Sequence, residues 1–153
     1  MSDPLHHMYV LHTNPFLFAT TVHAFYERLG EKEKSILLAY LVLPIVLDKR
    51  NRLFLARAKS TSSLRTMLGD PKKMRALPAR VEQFREVTNG TLRYLFSLNA
   101  LCMKEDSVVL GGIEEPLPDV APENAVAAAK KLAEWFQPLD IPTIYRTLGV
   151  LQL

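Results

Sequence analysis

Apolar residues recur at helical spacing in the first and last thirds of the chain. In the first third they follow Pro15, which suits the first turn of a helix, and they stop before Gly30. In the last third a similar face is followed by a short helix over residues 143–148, which lies between a capping residue, Asp140, and a stop at Gly149. The apolar faces of the two amphipathic helices are formed by Phe18, Val22, Phe25, Tyr26 and Leu29 in the first, and by Ala125, Val126, Ala129, Leu132, Ala133 and Phe136 in the second.

The segment between these helices is less regular. Residues 33–47 are apolar nearly all round after a charged start, which predicts a central helix that Pro44 kinks or ends early. Residues 48–77 are polar and basic, and they predict a loop or short strand followed by a short helix capped near Ser60 to Ser62.

Beyond residue 77 the pattern predicts a helix followed by a hairpin. The helix begins at Pro78, is interrupted at Gly90 and resumes over residues 91–98. The hairpin turns at polar residues 104–107 and pairs four alternating apolar residues, Leu101, Met103, Val108 and Leu110. A helix followed directly by a two-stranded wing is typical of the end of a winged-helix domain.

Together these elements predict a mainly α fold with a small β-hairpin, a compact helical domain that is winged-helix-like at one end. Residues 1–12 are predicted to form a flexible N-terminal segment, and residues 13–153 a single helical domain with the hairpin near 101–110. The length of 153 residues suits one domain, and 48% hydrophobic with 23% charged residues is ordinary globular usage.

Cysteine usage and hydropathy bear on the compartment. Cys102 is the single cysteine, so the chain can form no intramolecular disulfide and no Cys-based zinc site. The longest apolar run, residues 36–47, is shorter than the roughly 20 residues of a spanning helix, and the first residues lack the layout of a secretory signal. These features predict a cytoplasmic protein without membrane contact.

Positive charge is concentrated in the middle of the chain. Residues 49–93 hold twelve Lys and Arg residues against three Asp and Glu, although the net charge of the whole chain is only +3. This balance favours a polyanion or an acidic protein as partner, and a solvated basic face is the alternative. The residues predicted to contact DNA or an acidic partner are Arg57, Lys59, Arg65, Lys72, Lys73, Arg75, Arg80 and Arg85.

The sequence offers no recognisable catalytic constellation. Its six glycines are scattered and form no phosphate-binding loop. His6, His7 and His12 are close in sequence, but a catalytic metal site needs three or four convergent ligands. Cys102 has no neighbouring histidine to activate it as a nucleophile. We therefore predict a protein that is not an enzyme and that uses neither a metal nor a cofactor.

Several short motifs, in order along most of the chain, resemble one known family. They are Asn14-Pro15, Leu43-Pro44-Ile45-Val46-Leu47-Asp48-Lys49, Arg52, Ser60-Thr61-Ser62-Ser63-Leu64, the segment 91–110, Leu132-Ala133-Glu134-Trp135-Phe136, Asp140-Ile141-Pro142-Thr143-Ile144-Tyr145 and Leu148-Gly149-Val150. In this order they resemble the middle component of bacterial three-component ABC systems, a family that includes the accessory subunit of Lamassu-type anti-phage and anti-plasmid defence. The chain departs from the commonest family pattern at Asp48, where His is frequent, and in its Pro-rich loop 112–122.

The resemblance implies a non-catalytic accessory or adaptor subunit and supplies no catalytic residues. Its implied partners are an SMC/Rad50-like coiled-coil ABC ATPase and an effector expected to be a nuclease, and the basic middle segment adds double-stranded DNA as a candidate partner. A freestanding winged-helix DNA-binding transcriptional regulator is the alternative function.

Four residues near the C-terminus are candidates for a protein interface: Trp135, Tyr145, Leu151 and Leu153. Aromatic residues dominate interface energetics, and exposed apolar chain ends need a surface to cover them. Core packing is the alternative for Trp135 and Tyr145.

Overall fold

The computed structural model describes residues 16–59, 61–69, 71–113, 115–118 and 120–151, apart from the side chains of residues 71–74. The predicted flexible segment 1–12 therefore lies outside the described residues. Within the described ranges, no helix combines the length and the apolar character needed to cross a membrane.

The described ranges contain seven α-helices, one 3-10 turn and one two-stranded antiparallel sheet, which confirms the predicted mainly α fold with a small hairpin. In chain order the elements are α1 (Phe16–Leu29), the 3-10 turn (Ser35–Leu38), α2 (Ala39–Val46), α3 (Lys49–Ala56), α4 (Leu64–Met67), α5 (Pro71–Ser97), β1 (Leu101–Lys104), β2 (Ser107–Leu110), α6 (Ala125–Phe136) and α7 (Ile141–Leu148).

Helix α2 lies at the centre of the fold, as its apolar sequence predicts. Its residues 41–43, together with Ile45 and Val46, are fully buried. Helix α5 packs against α2 and α1, and α6 packs against α1 and α3. Phe25 of α1 meets Phe136 of α6 edge to face, with ring centroids 6.1 Å apart. The core is therefore built from elements at both ends of the sequence.

The central helix begins later than predicted. The 3-10 turn precedes it, and Lys34 ahead of that turn has a left-handed backbone with φ of 60°. The Tyr26 hydroxyl donates a hydrogen bond to the Ser35 carbonyl oxygen at 2.8 Å, which ties the turn to α1. Pro44 lies inside α2, where it removes one backbone hydrogen bond, and the helix ends soon after it at Val46.

Residues 49–56 form helix α3, where the sequence predicted a loop or short strand. Asp48 caps this helix, because its side chain accepts a hydrogen bond from the Asn51 backbone amide at 3.1 Å. The prediction was wrong because only Leu55 among the apolar residues of this short helix is fully buried, which left a weak hydrophobic period in a basic segment. Helix α4 follows as predicted, with its cap at Ser63, just beyond the predicted positions.

Helix α5 is one continuous helix of 27 residues, although the sequence predicted a helix that begins only at Pro78 and is interrupted at Gly90. A proline in a helix interior costs about 3 kcal/mol and a glycine about 1 kcal/mol. Burial of each Val or Leu side chain contributes about 1.5–3 kcal/mol in return. Val81 after the proline, and Val87 and Leu92 around the glycine, are almost fully buried. Packing against the core therefore outweighs both local preferences.

The hairpin has the predicted strands and register. Met103 pairs with Val108, and the turn between the strands is formed by residues 105–106 rather than by all four polar residues. The Val108 amide donates a hydrogen bond to the Ser35 hydroxyl oxygen at 2.8 Å, and β2 packs against α1. The hairpin is thus fixed to the core. A helix followed by a hairpin is present, and the winged-helix assignment stays a prediction.

The two C-terminal helices agree with the sequence pattern. Helix α6 ends at Phe136, and α7 is capped by Asp140, whose side chain accepts a hydrogen bond from the Thr143 amide at 2.8 Å. Gly149 ends α7 with a left-handed φ of 72°. Val150 beyond it is buried in the core. The last turn of the described chain is therefore part of the folded unit.

Candidate functional site

The structure places the predicted basic residues in two groups. The first group is Arg57, Lys59 and Arg65, which are exposed at the end of α3, in the following linker and on α4. The second group lies on α5 and comprises Lys72, Lys73, Arg75, Arg80 and Arg85. The side chains of Lys72 and Lys73 lie outside the described residues, and Arg75 is exposed.

Arg80 and Arg85 already make contacts within the fold. The Arg80 Nε donates a hydrogen bond to the Pro44 carbonyl oxygen at 3.1 Å, and its guanidinium carbon lies 5.5 Å from the centroid of the Phe84 ring. Arg85 forms a 3.0 Å ion pair with Glu82 on the same helix. Both side chains are only half-exposed. Arg80 and Arg85 are therefore weaker candidates for binding a partner than the exposed Arg57, Lys59 and Arg65.

Helix α3 carries cationic and apolar residues on one face. Arg50, Leu53, Phe54 and Arg57 are spaced i, i+3, i+4 and i+7, which places them on the same side of the helix. They line a groove of about 430 Å³ that is completed by Ala58, Lys59 and Ser62. Arg50 was not among the residues predicted to contact a partner, because its alignment with Arg57 is visible only once residues 49–56 are recognised as a helix.

A second groove, of about 380 Å³, adjoins the first and contains Trp135. It is lined by Arg65, Trp135, Pro138 and Leu139 among others, and Ser62 lines both grooves. The rings of Phe54 and Trp135 connect the grooves in an edge-to-face arrangement, with centroids 6.3 Å apart. We call the combined area the arginine–aromatic surface; its residues are Arg50, Phe54, Arg57, Lys59, Arg65 and Trp135.

Glu134 is the acidic residue that lines the second groove, and two cations balance its charge. Lys131 Nζ donates a hydrogen bond to its carboxylate at 2.9 Å, and Arg28 of α1 donates another. The hydrogen bond from Lys131, more than that from Arg28, holds the pKa of Glu134 below its ordinary value. The carboxylate therefore stays ionised and paired, and it leaves the positive charge of Arg65 uncompensated by the groove wall.

Comparison with known proteins assigns the chain to a family. The model of the ABC-three component (ABC-3C) system Middle Component 3 family matches residues 2–152. The chain belongs to this family. No curated protein and no solved structure matches the chain. The predicted middle component of a three-component ABC system is therefore confirmed, and the Lamassu-type assignment stays a prediction.

The candidate interface residues of this middle component have different surroundings. Trp135 is half-buried and packs against the core. The Tyr145 hydroxyl donates a hydrogen bond to the Leu37 carbonyl oxygen, and burial raises the pKa of this phenol well above its ordinary value. Tyr145 therefore ties α7 to the 3-10 turn. Leu151 is 86% exposed, and Leu153 lies outside the described residues.

The side chains with catalytic potential lie apart from this surface. Among the residues that the structure describes, no three His, Cys, Asp or Glu side chains come together as a metal site. Burial lowers the pKa of His23 on α1, which favours its neutral form. Cys102 is half-buried in β1, and its Sγ lies 3.9 Å from the Leu110 carbonyl oxygen across the hairpin. Neither side chain belongs to the arginine–aromatic surface.

Proposed function

We propose that this middle component is a non-catalytic adaptor in a cytoplasmic, Lamassu-type defence complex. It links the heads of an SMC-like coiled-coil ABC ATPase to an effector, which we expect to be a nuclease. The observation that carries the proposal is the match of the Middle Component 3 model to residues 2–152, nearly the whole chain. The description of that family names a component of an ABC system, and an ABC protein is an ATPase.

The arginine–aromatic surface supports a binding role. Arg and Trp are enriched among the residues that contribute most to interface energetics. Arg57, Arg65 and Trp135 border two adjoining grooves, and a binding surface needs only such shape and charge. Catalysis would also require a base, a nucleophile or a metal placed beside a substrate site. The composition of the surface therefore suits an adaptor better than an enzyme.

Assembly with an ABC ATPase is the direct test of this proposal. We expect the tagged full chain to co-purify in stoichiometric amounts with the coiled-coil ABC ATPase encoded beside it, when the two are co-expressed and analysed by size-exclusion chromatography. The tag alone and an unrelated ABC ATPase serve as controls. A lone homodimer of the chain that binds one DNA palindrome and ignores the ATPase would instead support the regulator hypothesis, because paired half-sites match a two-fold dimer.

Contact with double-stranded DNA is a further part of the proposal, and we assign it to the start of α5. Reversal of Lys72, Lys73 and Arg75 to Glu is expected to weaken DNA binding by the assembled complex equally for all sequences. The slope of log affinity against log salt should fall by roughly 0.9 for each phosphate contact that is lost. Fluorescence anisotropy with duplexes of different sequence measures both quantities.

A matched variant controls for the change in net charge. Arg93, Lys104 and Arg146 are exposed cations on α5, the hairpin and α7, outside the start of α5. Their simultaneous reversal to Glu changes the net charge equally and should leave the salt slope closer to that of the parent. Equal slopes for the parent and the Lys72, Lys73 and Arg75 variant would remove DNA contact from the proposal.

The hairpin favours the adaptor over a winged-helix regulator. A wing that contacts DNA needs cationic residues at its tip, because phosphates dominate the affinity. The tip of this hairpin is Glu105-Asp106, flanked by Lys104, and that lysine pairs with Glu31 at 3.2 Å. The hairpin tip is therefore negatively charged, which is unfavourable for contact with the phosphates of a duplex.

A further inference from the structure

The two grooves of the arginine–aromatic surface combine an apolar floor with a cationic edge. Leu53 and Phe54 line the first groove, and Trp135, Pro138 and Leu139 line the second. The two grooves, of about 430 and 380 Å³, are shallow and open to solvent. An occupant that fills them must therefore carry apolar groups.

The cations of this surface set the charge of that occupant. Arg50, Arg57, Lys59 and Arg65 are all exposed, and Arg50, Arg57 and Lys59 line the same groove. The carboxylate of Glu134 does not offset them, because Lys131 and Arg28 hold it. Complementary partners therefore carry several negative charges close to their apolar groups.

DNA has the negative charge that this occupant needs but not the apolar groups. A duplex offers phosphates to the cations, but its phosphate backbone has no apolar group that would enter either groove. An amphipathic helix with acidic residues beside its apolar face has both the charge and the apolar groups, since such helices bind by placing apolar side chains in a groove. Shape and charge together favour a protein segment over a nucleic acid.

We propose that the arginine–aromatic surface binds an acidic amphipathic helix of a partner protein, with apolar side chains in the two grooves and carboxylates against Arg50, Arg57, Lys59 and Arg65. The assignment of this helix to another subunit of the three-component system rests on the proposed function. The binding of an acidic amphipathic helix to this surface does not. The surface excludes a basic helix by charge and binds DNA weakly by comparison.

The position of the single tryptophan makes this proposal measurable. Trp135 is the only Trp in the chain and lines the second groove, so its emission reports occupation of the surface. The probe is a synthetic helical peptide without Trp that carries Leu on one face and Glu on the other. Titration of the full chain with this peptide is expected to give a saturable change in Trp135 emission.

Three comparisons separate the contributions of charge and apolar contact. The double variant Arg57→Glu and Arg65→Glu should bind the peptide on the order of tenfold more weakly, because close charge pairs become like-charge contacts. The variant Arg93→Glu and Lys104→Glu changes the net charge equally at exposed positions outside both grooves and should bind as the parent does. A peptide with Ser in place of Leu should bind much more weakly than the parent peptide.

Several outcomes would overturn the proposal. The first is that titration with the Leu and Glu peptide gives no saturable change in Trp135 emission. The second is that a peptide with Lys in place of Glu, or the peptide with Ser in place of Leu, binds as tightly as the Leu and Glu peptide. The third is that a random-sequence duplex changes the emission and displaces the peptide. Self-association of the chain that competes with the peptide would assign the surface to a second copy. The titration uses the chain alone, so it can succeed when co-purification with an ATPase fails, and the two proposals fail separately.

Discussion

Removal of residues 138–153 is expected to unfold the domain rather than to release a partner from a folded one. Helix α7 and the residue after its stop bury four apolar side chains, those of Ile141, Ile144, Leu148 and Val150. Each contributes about 1.5–3 kcal/mol, so together they contribute about 6–12 kcal/mol, which is comparable to the 5–15 kcal/mol that stabilises a typical domain. Loss of the Tyr145 hydrogen bond to the 3-10 turn adds to the effect.

Circular dichroism and urea unfolding test this expectation directly. The matched control is a chain that lacks only residues 151–153, because Leu151 is 86% exposed and contributes little to the core. We expect the control to unfold cooperatively with nearly the parent free energy of unfolding. A cooperative transition in the chain ending at residue 137 would show that α7 is dispensable for folding and is better regarded as an interface element.

The elements with long apolar periods were predictable from sequence. Helices α1 and α6 each present a stripe of apolar residues with a strong stop, and the structure buries the whole stripe of α1. In α6 it buries the predicted residues except Val126, which is half-exposed, and Ala128 is buried instead. Their pairing through Phe25 and Phe136 was not predictable, because the period fixes which face of a helix is buried but not which helix covers it.

The basic middle segment resisted prediction for a different reason. Helix α3 has only two turns, its cap at Asp48 is a common residue in loops as well, and its cations obscure the apolar face. In α5, by contrast, Pro78 was interpreted as the start of a helix and Gly90 as an interruption, and tertiary packing carries one helix through both positions. Local sequence propensity therefore differs most from the observed structure in the basic middle segment, which holds the predicted cationic binding residues.

The candidate site also depends on contacts between distant segments. Phe54 and Trp135 belong to helices far apart in sequence, and their edge-to-face contact creates one surface from two grooves. The sequence identified Trp135 as an anchor candidate and Arg57, Lys59 and Arg65 as cations, but it offered no signal that they meet. Composition located the residues, and the packing of α3 on α6 gives their arrangement.

Adjacent aromatic residues at the end of α6 should differ sharply in their effect on stability. Phe136→Ala is expected to lower the free energy of unfolding by about 3–5 kcal/mol, because this ring is fully buried against Phe25 and its removal leaves a cavity. Trp135→Ala removes a larger ring that is only half-buried, so we expect a loss no more than about half as large, in proportion to the apolar area that leaves water on folding.

Urea unfolding followed by far-UV circular dichroism compares the two variants without relying on tryptophan emission. The Trp135→Ala variant should remain folded and lose affinity for the acidic peptide, which now has to be followed by the anisotropy of a labelled peptide. Such a result would separate the two roles of this helix end: Phe136 holds α6 in the core, and Trp135 faces the groove. If Trp135→Ala were as destabilising as Phe136→Ala, the tryptophan would be a core residue first, and the arginine–aromatic surface would lose its central anchor.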